Sequence, residues 1–206
     1  MIIMMKSGVS IVSRKGITID FTFLLASYLT LNYTPMFFFF FFFGEFPRVS
    51  LINSIKTDED LSELWYNCFE GADNLAHINK FSIEPINDPA ALADLLNPRG
   101  NLYRSWLVKR SAEQDIIGFA FHHFENNSIS FYIGLDYIKQ GYGTEVVKLL
   151  VNQFKDQGIK EATAYCAADN YAAIRVLDKC EFKKIDTVSE EIGDGSMLCF
   201  NLLIAQ

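Results

Sequence analysis

Gln140-Gly141-Tyr142-Gly143-Thr144-Glu145 is the stretch whose reading decides the fold. Two glycines here let the backbone turn tightly and come close to a ligand. The residues that follow open a helix, so the first N–H groups have no intrahelical partner. Those donors, with the positive end of the helix dipole, make a pyrophosphate site that requires no cationic side chain. A lone Gly-x-Gly is also what an ordinary strand-to-helix turn looks like, so the flanking sequence must carry the argument.

Upstream, Ile129 to Asp136 reads Ile-Ser-Phe-Tyr-Ile-Gly-Leu-Asp, with the β-branched and aromatic residues of a strand. Downstream, Val147, Leu150, Val151 and Phe154 follow an i, i+3, i+4, i+7 stripe, and Gly158 supplies the stop. A second strand follows at Glu161 to Ala167. Asn170 is then a good N-cap for a helix whose stripe is Ala173, Val176, Leu177 and Cys180, feeding a strand at Phe182. The order is strand, Gly-x-Gly, helix, strand, Asn-capped helix, strand.

Ahead of the loop, Pro47 to Ile55 predicts a first strand. Thr57-Asp-Glu-Asp is a near capping box, followed by Leu61, Leu64, Trp65 and Cys68 at helical spacing. Asp88-Pro89 starts another helix with the stripe Leu92, Leu95 and Leu96, and Asn97-Pro98 ends it. Residues 70–86 between them read as irregular. Tyr103 to Lys109, Ile116 to Phe124 and Asn127 to Asp136 predict an antiparallel meander joined by short polar turns.

With these elements in place, the sequence resembles the GCN5-related N-acetyltransferases, in particular their ribosomal-protein N-acetyltransferase-like branch. Gly141 and Gly143 match the glycines of the family's Arg/Gln-x-x-Gly-x-Gly/Ala loop, and Tyr142-Gly143-Thr144-Glu145 matches the branch's continuation. Asn170, Ala173, Val176, Leu177, Lys179 and Phe182 fall in register with the branch's Asn-x-x-Ser/Ala-x-x-Val-Leu-x-Lys-x-Gly-Phe signature. The resemblance covers roughly residues 48 to 204. It implies an α+β (α/β) fold with a central mixed, mostly antiparallel sheet of six or seven strands, splayed in the middle and flanked by about four helices.

Three departures stand out. Ile138 occupies the usual Arg/Gln position, in a loop that binds phosphate mainly through backbone N–H groups. Glu181 replaces the glycine before the final Phe, where φ is often positive, so an altered helix end or some strain is expected. Leu177 stands where many family members carry a tyrosine that protonates the departing thiolate, and Ala173 lacks a hydroxyl that some relatives present near the thioester.

The resemblance implies acetyl-CoA as co-substrate and direct attack by an amine, either a protein N-terminus or a small molecule. Lys139, Gln140, Gly141, Tyr142, Gly143 and Thr144 would hold its pyrophosphate. Backbone groups near Phe131 and Ile133 would pair with the pantetheine arm like an added strand, and Asn170 would contact the cofactor as well as cap its helix. No catalytic residue is assigned. Ser130 and Cys166 are candidates, and His123, Glu125 and Ser128 lie on or near the same strands. His122 and His123 point opposite ways in an extended chain, so at most one faces the site. The other reading is a non-catalytic CoA-binding or protein-interaction module that kept the fold.

The chain has 206 residues and a net charge of −7. Residues 1–45 hold Lys6, Arg14 and Lys15 against Asp20 and Glu45, a net of +1, so the remainder carries −8. An acidic domain argues against non-specific nucleic-acid binding and suits cationic acceptors, though acidity also simply keeps a small protein soluble. The four cysteines and three histidines show no metal-ligand spacing, so no metal is expected, and buried reduced thiols fit a cytoplasmic protein.

Residues 1–45 read as a separate hydrophobic segment with no function assigned, leaving 46–206 as the acetyltransferase domain. Phe21 to Phe43 carries no charge and ends in seven consecutive phenylalanines, Phe37 to Phe43. Three readings stand: a membrane anchor, a true start further downstream, or a hydrophobic tail. An anchor preceded by basic residues would place the domain outside the cytoplasm, away from acetyl-CoA.

Overall fold

The computed structural model describes residues 10–12, 18–20, 47–53, 57–80, 85–97, 102–192 and 195–205. The chain divides into two compact units, Met1–Phe46 and Pro47–Gln206. In the first, β1 (Ser10–Val12) pairs antiparallel with β2 (Thr18–Asp20). The uncharged run from Phe21 to Phe43 lies outside the described residues. No helix among the described residues is long and apolar enough to cross a membrane.

The second unit is a mixed sheet built from β3 (Val49–Asn53), β4 (Tyr103–Arg110), β5 (Ile116–His123), β6 (Ser128–Ile133), β7 (Glu161–Ala167), β8 (Lys183–Ile192) and β9 (Gly195–Leu203). Its order is β3-β4-β5-β6-β7-β9-β8. Every pairing is antiparallel except β6–β7. The chain crosses from β6 to β7 through a helix, as parallel neighbours require.

Among the described residues, five helices flank the sheet: α1 (Asp58–Cys68), α2 (Ala72–Asn79), α3 (Pro89–Leu96), α4 (Tyr142–Asp156) and α5 (Tyr171–Lys179). α1 begins at a full capping box, Thr57 accepting from Asp60 N while Asp60 accepts from Thr57 N. α3 begins with the Asp88 cap and Pro89. α2 corrects the expectation that residues 70–86 are irregular. It is eight residues long, starts at Gly71 (φ +98) without a side-chain cap, and buries only Ile78, so neither cap nor stripe announces it.

Alternation along the strands, reset once at Ile117 where the β4–β5 register shifts, gives the sheet two cores, one on each face. On one face Leu64, Phe69, Leu92 and Leu96 of the α1–α3 segment pack on Leu107, Phe119 and Phe121. On the other, Val147, Leu150 and Phe154 of α4 and Leu177 of α5 pack on Trp106, Ile117, Ile129 and Phe200. Each such buried side chain is worth about 1.5–3 kcal/mol of transfer free energy. The two helical layers therefore grip the same strands from opposite sides, and the β6–β7 step lies between them.

Candidate active site

The parallel pairing of β6 with β7 is short, Ser128 opposite Thr163 and Ile129 opposite Ala164. β6 continues to Ile133 along β5, and β7 continues to Ala167 along β9, so the two strands splay beyond Ile129. Gly134 N donates to Ile117 O at 3.0 Å. Because antiparallel pairs alternate between bonded and non-bonded, this fixes which residues face β5. The even-numbered positions of β6 bond to β5, while Ile129, Phe131 and Ile133 turn their main chain the other way. Asn127, of the same parity, accepts from Thr163 N of β7 at 3.1 Å. Phe131 and Ile133 lie past the last β7 partner and present N–H and C=O groups to the gap.

The loop 139–144 closes the wide end of this gap. Lys139 (φ +62) and Gly141 (φ +92) are both left-handed, and together they turn the chain from a 3₁₀ turn at Leu135–Tyr137 into α4. Gly141 is the N-cap and makes no side-chain cap. The first intrahelical bond is Glu145 N to Gly141 O at 3.2 Å, so the N–H groups of residues 141–144 point out of the helix end. An anion suits that end of a helix.

Individual side chains of the loop contribute little. Gln140 folds back so that its Nε2 donates to Asp136 O at 2.9 Å. The Tyr142 ring is buried beneath the Arg48 guanidinium, 4.9 Å from its centroid. Gly143 is needed for packing: a Cβ there would meet the Phe131 ring at 3.1 Å and Val176 at 3.4 Å. It lets α4, β6 and α5 converge at the mouth of the gap.

Arg48, just ahead of β3, is the residue that sequence reasoning missed. Its Nε donates to Glu145 at 2.6 Å, its backbone N to the other carboxylate oxygen at 2.9 Å, and its Nη2 to Gln140 O at 3.0 Å. A guanidinium from a distant strand thus braces the loop where Ile138 leaves the expected position apolar. Ninety-seven residues separate Arg48 from Glu145, so no local spacing announces the pair.

At α5, Asn170 Oδ1 accepts from Ala173 N at 3.1 Å, the N-cap geometry. That leaves only its Nδ2 side for a cofactor. Glu181 ends the helix at φ +67, with Phe182 N donating to Leu177 O at 3.1 Å, the closure that usually takes glycine. Leu177 is buried in the core and presents nothing to the gap.

The proposed catalytic candidates separate by face. Cys166 lies with the α4/α5 core, and burial pushes its thiol up to about 11, so it is protonated at neutral pH. His122, on the same face, packs at a tilt against Phe154, ring centroids 4.2 Å apart, and meets Asn127 at 3.2 Å. Ser130 and His123 lie on the opposite face, with His123 Nε2 3.1 Å from Ser130 Oγ. Ser130, Phe131 and Tyr132 are half-buried, unlike Ser128 and Ile129 before them, because the sheet opens there. Across the opening, Lys80 at the end of α2 pairs with Asp169 at 2.7 Å, just ahead of α5. Among the described residues no three His, Cys, Asp or Glu groups cluster as metal ligands would.

The family model for the acetyltransferase (GNAT) domain matches residues 51–183. No curated protein matches the chain. Among solved structures, the spermidine N-acetyltransferase from Vibrio cholerae, in complex with CoA and spermine, is 16% identical. The alignment covers 76% of this chain and 96% of that one, with a TM-score of 0.61. The ribosomal L7/L12 alpha-N-protein acetyltransferase RimL, in complex with coenzyme A, is 13% identical over 76% and 94% of the chains, TM-score 0.64. AAC(6')-Ib with ribostamycin and coenzyme A is 19% identical over 75% and 93%, TM-score 0.60. A splayed parallel step, a glycine loop at a helix N-terminus and a family match over most of the second unit converge on one assignment: the chain belongs to the GNAT acetyltransferase family.

Proposed function

We propose that this enzyme is an acetyl-CoA-dependent N-acetyltransferase that passes the acetyl group to a primary amine by direct attack. The observation that carries this reading is the alignment of two binding features. The N–H cluster of residues 141–144 sits at the wide end of a gap whose edge, Phe131 and Ile133, offers main-chain partners. A molecule with a pyrophosphate and an amide-bearing arm satisfies both. Lys139, Gln140, Gly141, Tyr142, Gly143 and Thr144 bind through their backbone, and Asn170 through its Nδ2 side.

Four things are needed for the transfer: a held thioester, a neutral amine, a stabilised oxyanion and a departing thiolate. A backbone N–H of the splayed region, that of Phe131 or Ile133, would serve the oxyanion. Cys166 takes no part as a nucleophile, since its thiol is buried and protonated. The net charge of −8 beyond residue 45 draws cationic amines by long-range attraction. Spermidine, ribostamycin and a peptide with a free α-amine are the acceptors to try, given the fold's relatives. The reading carries no metal and no nucleic acid, and places the protein in the cytoplasm, where acetyl-CoA is found.

Calorimetric titration of the full chain with acetyl-CoA tests this, with thiol release and acetylated product followed for each acceptor. Binding that Gly141→Val abolishes is the expected result, because valine resists φ +92 and its Cβ would meet Arg48 Nη2 at 3.0 Å. A folded protein with no affinity for acetyl-CoA would sink the reading. Buried Leu177 in the place of a general acid favours one alternative, a non-catalytic CoA-binding module. Binding without turnover on any nucleophile identifies it.

A further inference from the structure

We infer that Ser130 and His123 form the proton relay of this site, Ser130 Oγ receiving the proton of the attacking amine and handing its own to His123 Nε2. The inference rests on the acetyltransferase reading above and supplies the base that the sequence leaves unassigned.

Pairing between β6 and β7 stops at Ile129, so Ser130 is the first residue beyond the apex of the splay. Its neighbour Phe131 points to the α4/α5 face, where its ring meets Gly143 of the phosphate loop. Ser130 therefore points to the other face, the one bounded by Tyr132 and the α1–α3 layer. With the thioester arm entering from the loop side, the α1–α3 face is left for the amine. Ser130 is the hydroxyl at that crossing, and His123 is 3.1 Å behind it.

The surroundings make His123 a usable base. Tyr103 of β4 covers it, ring centroids 5.4 Å apart, and Phe121 lies at 6.0 Å on its own strand. The Tyr103 hydroxyl is committed to Leu95 O at 2.6 Å, so it does not compete for Nε2. The titratable groups nearby are Tyr103 of β4, Tyr132 of β6, His122 on the opposite face, and His77 of α2 against Tyr132 at 6.2 Å. Burial lowers the His123 pKa, so the imidazole is neutral at pH 7 and can accept a proton.

The step balances. The amine nitrogen bonds to the thioester carbon while the C–S bond breaks. The nitrogen's proton goes to Ser130 Oγ as the Ser130 proton goes to His123 Nε2. CoA leaves as the thiolate and takes a proton from solvent. Without an amine, water takes the nucleophile's place on the same relay.

The test follows thiol release from acetyl-CoA by the full chain, with water and with spermidine, ribostamycin and a free-α-amine peptide. His123→Gln and Ser130→Ala should each lower kcat about 10²-fold or more, with KM for acetyl-CoA changed less than about twofold. Ser130→Thr, which keeps the hydroxyl, should restore most of the rate. The acidic limb of the kcat profile should disappear in His123→Gln. Variants that match wild type in rate and pH profile overturn the relay. So does a wild-type protein that binds acetyl-CoA yet releases thiol to no nucleophile, because a competent base beside a bound thioester acts at least on water. Absence of acetyl-CoA binding overturns the acetyltransferase reading instead.

Discussion

At the scale of single residues, backbone strain singles out Glu181 and close approach singles out Gly118. Glu181 holds φ +67 at the end of α5, a conformation that costs an L-residue about 1–2 kcal/mol. Glu181→Gly removes that cost and adds back roughly 0.5–1 kcal/mol of unfolded-state entropy. The expected net gain is ~1 kcal/mol, read as a higher urea midpoint at constant slope. Gly118 is the opposite case. A Cβ there would lie 2.1 Å from the Tyr132 carbonyl oxygen and 3.2 Å from the Ile133 Cα, both backbone. Neither atom can move without shifting β6, so Gly118→Ala should cost about 3 kcal/mol or more and weaken acetyl-CoA binding with it. A stability within 1 kcal/mol of wild type would show that β6 gives way more easily than its packing implies. The Glu181 strain was legible in the sequence, because the family signature has glycine there. The Gly118 contact was not, since nothing in Ile117-Gly118-Phe119 says which carbonyl the missing side chain would strike.

At the scale of elements, the first turn of α4 is held by a strand far away in sequence. Arg48 reaches Glu145 twice and the Gln140 carbonyl once, and its guanidinium lies over Tyr142. Arg48 is about half exposed, so the ion pair itself is worth no more than about 1 kcal/mol. A double-mutant cycle of Arg48→Met with Glu145→Gln should give a coupling of ~0.5–1 kcal/mol that shrinks with salt. Acetyl-CoA affinity should fall further than stability does, because the brace sets the aim of the N–H groups. Equal affinity in Arg48→Met would mean that the glycine turn positions itself. Elements with caps and stripes were legible: Thr57, Asp88 and Asn170 all cap where the spacing placed them. β6 stops at Ile133, three residues before the expected Asp136, because the chain turns at Gly134 into the 3₁₀ turn of Leu135–Tyr137. α2 escaped because its weak signals only become a helix once Ile78 finds the α1/α3 core. The splay follows from which strands share which neighbours, a property of the sheet that no single strand carries.

For the domain as a whole, two cores on one sheet bury ionisable groups whose proton balance sets the pH response of folding. His122 lies in the α4/α5 core against Phe154, and His123 lies on the opposite face against Tyr103. Burial lowers the pKa of both, and of His77 in α2, from the ordinary 6.5. The unfolded chain therefore takes up protons below pH 6.5 that the folded protein resists. Stability is complete above the unfolded value and is lost as pH falls from 6.5 towards the depressed folded values. Asp115 adds a second, more acidic window. Its hydrogen bonds to Arg110, at 2.7 and 2.6 Å, hold its carboxyl below the usual range. That contribution is present above the unfolded carboxylate pKa and disappears as pH falls through the folded one. The urea midpoint should therefore decline between pH 7.5 and 5.5, well before carboxylates titrate. In His122→Gln, which keeps a polar partner for Asn127, the decline should be shallower while the steeper loss below pH 4 remains. An unchanged decline in that variant would assign the neutral-pH sensitivity to the α1–α3 face alone. The two layers would then differ in what limits them, the His122 core by packing and the acceptor face by the charge state of His77 and His123.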